Sequence, residues 1–314
     1  MRVCARAPAK TILFGEHFVV LGRPALVAAI NIYAKVCIED NDKLVVESKN
    51  LGLRLTEDNV PEQLKPYQII INELVQDKSK KCFHALIESD IPVGAGMGSS
   101  AATSVAFTAA LAKFLGLELS LDEISRIAFK AEQFVHGKPS GIDNTISTYG
   151  GILYYKKGMF KRISISWPED YYLVLADTGV ERSTKDAVKK VLDRYNRRKT
   201  VMEHIYNAAE EIVDAALKAL KEKDMDTLGE LMNINHGLLV SIGVAIPETE
   251  LIVHNSLKAG AIGAKITGAG MGGSVLLLVR NDNLENVIKH LSNYAKATYV
   301  SKPVDKGVEV YIAE

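Results

Sequence analysis

The pentapeptide GAGMG occurs twice in this chain, at Gly94–Gly98 and at Gly268–Gly272, and the flanks differ. After the first copy come Ser99-Ser100-Ala101-Ala102 and an Ala-rich tract without Gly or Pro. That pattern predicts a helix over 100–115. A helix N-terminus offers unpaired N–H groups and a partial positive charge, and glycines let the backbone approach a ligand closely, so this loop is suited to phosphate. A plain glycine turn with a serine cap would read the same way. The second copy runs into Gly273-Ser274 and then Val275-Leu276-Leu277-Leu278-Val279, a buried-strand pattern. A loop that opens a strand has no helix dipole to offer, so it packs closely or lines a pocket. The flanks thus place a helix after one glycine loop and a strand after the other. Two common phosphate motifs are absent. No Lys follows the first loop, which excludes a Walker A sequence. Gly268, Gly270 and Gly273 match GxGxxG in spacing, but that fingerprint must open a helix, so a dinucleotide fold is rejected.

Around these loops the first 50 residues read as short strands: Arg2 to Ala7, Thr11 to Phe14, Phe18 to Leu21, Ala25 to Ile38 and Lys43 to Glu47. Helices are expected over 60–76 and 121–136, the latter ended by Gly137 and Pro139, with a loop and helix start over 140–149. Strands are expected at 83–88, 152–155 and 171–176. Beyond these the texture becomes helical over 184–221, with a break near Thr200, and again over 226–241, 248–259 and 284–294. A length of 314 residues fits two domains, with the boundary near Trp167 to Asp170.

Lys+Arg and Asp+Glu are equal at 38 each, which argues against nucleic acid or an anionic membrane as partner. No apolar run approaches the length of a membrane span, and the N-terminus lacks a secretory pattern, so the expected setting is cytoplasmic. The three cysteines, Cys4, Cys37 and Cys82, are odd in number and far apart, and buried free thiols are the expectation.

Several charges interrupt apolar sequence. Lys10 follows Ala7-Pro8-Ala9, and Glu16-His17 divides Leu13-Phe14 from Phe18-Val19-Val20. Each could be a strand-end charge reaching solvent. Glu132, alone, reads as a solvated helix-face residue, and Asp143 as a turn or cap residue. The basic run from Lys189 to Lys199 reads as a solvated helix face. The histidines lack metal-ligand spacing.

Taken jointly, three segments resemble the motifs of the GHMP superfamily of small-molecule kinases, in that family's order. They are APAKTILFGEHFVVLG (Ala7 to Gly22), PVGAGMGSSAA (Pro92 to Ala102) and KITGAGMGGSV (Lys265 to Val275). A further block, KPSGIDNTISTYGG (Lys138 to Gly151), is similar to the catalytic-Asp segment of the mevalonate kinase branch. Ala9 stands where Gly is usual in the family and Met97 where Leu is common. The resemblance implies an α+β fold of two domains, a ribosomal-S5-like N-terminal domain (1–168) and a ferredoxin-like C-terminal domain (169–314). It implies ATP and mevalonate as substrates, Mg²⁺ as cofactor, and a homodimer. By the same likeness Pro92, Gly94, Ala95, Gly96, Met97, Gly98, Ser99, Ser100 and Ala101 would hold ATP phosphates. Ser100, or Ser99, and Glu132 would hold Mg²⁺. Asp143 would face the substrate hydroxyl with Lys10 beside it, as base or as electrostatic partner. Glu16, His17, Tyr149, Thr184, Gly268, Ala269 and Gly270 would line the substrate site. Other kinases of the superfamily, or a sensor that binds without turnover, are the alternatives; retention of Lys10, Glu132 and Asp143 disfavours the sensor.

Overall fold

A single strand of 16 residues, Ala25–Asp40, organises the N-terminal half. Its first six residues are all buried and burial alternates over the next five, so its start is covered on both faces. Leu26, Ala28 and Ile30 enter the main core, while Val27 and Ala29 pack against Ile142, Ile146 and Leu153. The computed structural model describes residues 2–75, 82–92, 94–136 and 140–313, the side chains at 135 and 136 excepted. The expected helix stop at Gly137 and Pro139 lies outside these residues.

In chain order the first part contains β1 (Arg2–Phe14), a 3₁₀ turn (Phe18–Leu21), β2 (Ala25–Asp40), β3 (Val45–Ser48), β4 (Leu53–Thr56) and α1 (Lys65–Leu74). Then follow β5 (Phe83–Ser89), α2 (Ser99–Phe114), α3 (Leu121–His136), α4 (Ile142–Tyr149), β6 (Ile152–Lys156) and β7 (Met159–Ile163). The second part has β8 (Tyr171–Asp177), α5 (Thr184–Arg197), α6 (Lys199–Glu222), α7 (Met225–Ser241), α8 (Pro247–Lys258), β9 (Gly263–Ile266), β10 (Ser274–Arg280), α9 (Asn281–Leu291), β11 (Ala297–Ser301) and β12 (Glu309–Ala313).

The larger sheet has the order β12-β1-β2-β5-β3-β4, with β6 and β7 continuing from the start of β2. Pairing is antiparallel except between β3 and β5. The Ala-rich α2 lies across β1 and β2 and is buried on nearly every side from Ala101 to Ala112, as expected of a helix without a polar stripe. The smaller sheet has the order β11-β8-β10-β9, all antiparallel. Numbered within that sheet the order is 4-1-3-2, the ferredoxin-like arrangement, with α5–α8 inserted after its first strand. One face meets α8 and α9 through Ile252, Val253, Val287 and Leu291; the other supplies Leu173, Leu175, Leu276 and Leu278 to the main core. The chain leaves the first sheet after β7 and enters the second at β8. The final strand, however, returns to the first sheet and pairs with β1 from Arg2↔Ala313 to Arg6↔Glu309.

Three local expectations are corrected. Phe18–Leu21 is a 3₁₀ turn and not a strand, because Gly15 and Gly22 bracket it with positive φ and Val19 N–H donates to Gly15 O at 2.9 Å. The two expected strands at 2–7 and 11–14 are one, carried through Pro8 by a register shift between Pro8 and Ala9. Cys4 and Cys37 face each other across β1 and β2 and form a disulfide, so two of the three cysteines are not free thiols. Cys82 is free and exposed. Sequence separation misled here: the residues are 33 apart, but the hairpin brings them into register.

Candidate active site

The bulge in β1 turns Lys10 inward. Its N–H donates to Met97 O at 2.9 Å, which ties the first strand to the first glycine loop, and its side chain is almost fully buried. The ammonium lies 3.2 Å from Asp143 Oδ1. Asp143 sits in the first turn of α4, where the helix N-terminus favours a carboxylate. Gly141 starts that helix with φ +79°, and the Asn144 amide donates to Ser125 O and Oγ of α3 at 3.1 and 2.8 Å, fixing α4 in place.

Gly98 stands at the start of α2 with φ +77°, and a Cβ there would lie 3.0 Å from Lys10 Cγ and 3.9 Å from Asp143 Cβ. The phosphate-type loop therefore abuts the charged pair. In the first turn of α2, the Ser100 hydroxyl donates to Glu132 Oε1 at 2.5 Å. Glu132 is buried, not on a solvated face. Of the two serines, Ser100 is the one that meets this carboxylate. Gly94 and Gly96 are exposed along the loop, Ala95, Met97 and Ala101 are buried beneath it, and Pro92 and Ser99 are partly covered.

The second glycine loop closes the opposite side. Ser274 Oγ–H donates to Ala95 O at 3.1 Å, joining the two loops directly. His17 Nε2 bonds Ala269 O at 2.8 Å, and since a carbonyl only accepts, that nitrogen carries the proton. Burial pushes the His17 pKa below its ordinary value, against the Ala269 bond and Glu16, which raise it. The ring is thus neutral near pH 7, with Nδ1 left as an acceptor. Gly270 approaches Val244 so closely that a Cβ would lie 2.6 Å from its carbonyl oxygen.

One residue absent from the sequence reading is central. Arg182 lies between the loops: its guanidinium donates to Thr267 O at 3.3 Å, and Cβ atoms built on Gly96 and Gly268 would lie 1.8 and 2.9 Å from its Nη2. Burial lowers its pKa while Asp177 opposes that, and a guanidinium stays charged regardless. Its only signal in sequence is a lone Arg just after a strand and before the Ser183 cap of α5. Tyr149, assigned by resemblance, stands apart from this cluster. Tyr149 turns to the far side of α4, bonding Asp122 and lying against Phe160 at 5.4 Å between ring centroids. Thr184 is exposed on the first turn of α5. Glu16 is buried against Lys265 and Asn235. Among the described residues there is no cluster of three His, Cys, Asp or Glu side chains that could cage a metal.

An ammonium–carboxylate pair beside a glycine loop, with a serine–carboxylate pair on the helix that loop opens, is the arrangement of a kinase for small molecules. Residues 67–151 match the GHMP kinases N terminal domain and residues 216–297 the GHMP kinases C terminal family. The chain belongs to the GHMP kinase family and has its two-domain fold. Among curated relatives, the mevalonate kinase of Thermococcus sibiricus is 38% identical, with 96% of this chain and 97% of that protein covered. The mevalonate kinase of Aeropyrum pernix is 36% identical over 99% of each. Among solved structures, L. major mevalonate kinase in complex with R-mevalonate superposes with a TM-score of 0.86 at 32% identity, covering 96% of both chains.

Proposed function

We propose that this protein is a kinase that transfers the γ-phosphoryl group of ATP to mevalonate, giving 5-phosphomevalonate for isoprenoid synthesis. The observation that carries the reading is the Lys10–Asp143 pair set 3.2 Å apart against Gly98. Support comes also from full-length likeness to several mevalonate kinases.

Phosphoryl transfer depends on positioning and charge neutralisation more than on covalent catalysis. In this reading Asp143 accepts or orients the proton of the attacking hydroxyl, and Lys10 favours the developing alkoxide and the transferring group. Backbone N–H groups of 94–100 and the start of α2 receive the phosphates. Arg182 adds a fixed positive charge from the second domain's side. The neutral His17 presents Nδ1 to a substrate hydroxyl, with Gly268, Ala269 and Gly270 as the wall beside it. Ser100 and Glu132 fit Mg²⁺, which takes hydroxyl and carboxylate oxygens and keeps several waters. When bound, the ion supplies charge neutralisation at the phosphates. We assign the domains to 1–168 and 169–314, with β12 as a return strand. A homodimer and a cytoplasmic setting complete the reading. No helix among the described residues is long and apolar enough to cross a membrane, whereas a Cys4–Cys37 disulfide is uncommon in a reducing compartment.

The deciding experiment measures ADP release with mevalonate, phosphomevalonate, homoserine and galactose side by side. Mevalonate should give the highest kcat/KM by a wide margin. A higher value for another alcohol would move the reading to a different kinase of the family, and release with none would favour a sensor.

A further inference from the structure

Lys265 of β9 and Thr267 and Ala269 of the loop after it reach the end of β1 and the turn that follows it. Lys265 Nζ bonds Glu16 Oε1 and lies 3.4 Å from Ile12 O. Thr267 Oγ1 donates to Ile12 O at 3.0 Å and accepts from Ile12 N–H at 3.2 Å. Ala269 O accepts from His17. Together the three contacts form a seam between the two domains. The Glu16–Lys265 pair is its innermost member. Both side chains have no solvent exposure, and the second carboxylate oxygen of Glu16 accepts from the Asn235 amide at 3.2 Å.

Resting on the mevalonate kinase reading, we propose that Glu16 and Lys265 are a positioning pair: Glu16 acts on the reaction through His17 and the second glycine loop and does not touch the substrate. Both Glu16 oxygens are already engaged by protein donors. The neighbouring backbone carries His17, whose ring orientation depends on Ala269, four residues beyond Lys265. A buried charge left without its partner is strongly unfavourable, so removing either member forces the turn and the loop to rearrange together. Removing both leaves no charge to rescue and gives little further loss.

The test is a double-mutant cycle with Glu16→Gln, Lys265→Met and the double variant, read as kcat/KM for mevalonate. A parallel measurement uses nitrogen-15 shifts of the His17 ring without substrate. Each single change should lower kcat/KM by about tenfold or more, and the double should fall no further than the lower single. In all three variants the His17 ring should lose its fixed Nε2–H signature. If Lys265→Met stays within about twofold of wild type while Glu16→Gln falls, Glu16 contacts substrate directly and the proposal is overturned. Additive losses, or a His17 signature unchanged by Lys265→Met, overturn it too. The double variant buries no charge, so it keeps the test available should a single variant not fold. The ring measurement needs no turnover, so it separates failure of this proposal from failure of the mevalonate assignment.

Discussion

Lys10 and Asp143 come together because two backbone devices aim them: the irregularity after Pro8 in β1 and the glycine start of α4. If Asp143 handles the reacting proton, Asp143→Ala should lower kcat by about 10²–10⁴ while nucleotide affinity stays close to wild type. Near-normal turnover would remove the assignment. Lys10→Met should also cut kcat, with melting temperature as the control for misfolding. The buried histidines predict a pH response. Burial holds His17 and His236 below their ordinary value of 6.5. Between the folded value and 6.5 the unfolded chain binds more protons than the folded one, so this stability is complete above 6.5 and is lost as pH falls through the folded value. Thermal melts from pH 8 downward should show that loss before the acidic range in which carboxylates titrate, and a His17→Gln, His236→Gln variant should show a flatter profile. An equal slope in both proteins would contradict it. At this scale the sequence was readable where a charge interrupted an apolar run, as at Lys10, Glu16 and His17. Arg182 was not readable, since nothing in a lone surface-type Arg tells that two loops from distant sequence will fold over it.

The elements most legible in sequence carry one dominant local signal, the Ala-rich tract of α2, the amphipathic period of α3 and the unbroken apolar run of β10, and all three match their expected spans closely. The weakest reading was Phe18–Leu21, where four apolar residues mimic a strand and only the flanking glycines disclose a turn. Strands β4 and β7 escaped because they are short, and β7 is also largely exposed. The two glycine loops also differ position by position, which gives a paired prediction. Nothing lies within 4 Å of a Cβ built on Gly94, whereas one on Gly96 would lie 1.8 Å from Arg182 Nη2. Both positions have positive φ, so each alanine costs some backbone strain, of order 1 kcal/mol. Gly94→Ala should mainly raise the KM for ATP, by narrowing the open side of the loop. Gly96→Ala should displace Arg182 and reduce kcat as well. Steady-state kinetics with ATP varied separates the two, and identical profiles would refute the distinction.

Over the whole molecule, the domains share one continuous core and are joined at the seam, at Ser274–Ala95 and at a charged cluster outside the site. In that cluster Arg23 meets Glu203 at 2.9 Å and Glu210 at 3.1 Å, and Lys156 also holds Glu210 at 2.7 Å. Partial exposure keeps such pairs near 1 kcal/mol each, so Arg23→Ala should cost about 1–2 kcal/mol in urea unfolding, and less at high salt. A loss unaffected by salt would mean packing and not charge. The Cys4–Cys37 link makes a second global prediction: a reductant should lower unfolding stability by about 2–4 kcal/mol, and a Cys4→Ala, Cys37→Ala variant should not respond to it.

The return of Glu309–Ala313 to the edge of β1 has a consequence for synthesis. On the ribosome the first strand can pair with β2 almost at once, but its other edge stays open until residues 309–313 have been made. At about 5–20 residues per second that interval is on the order of 15–60 s. Throughout it the nascent chain presents a half-finished sheet whose edge can pair with a neighbour's. The newborn protein is therefore most in need of a chaperone before Glu309–Ala313 arrives, and the larger sheet cannot be completed ahead of the half that follows it.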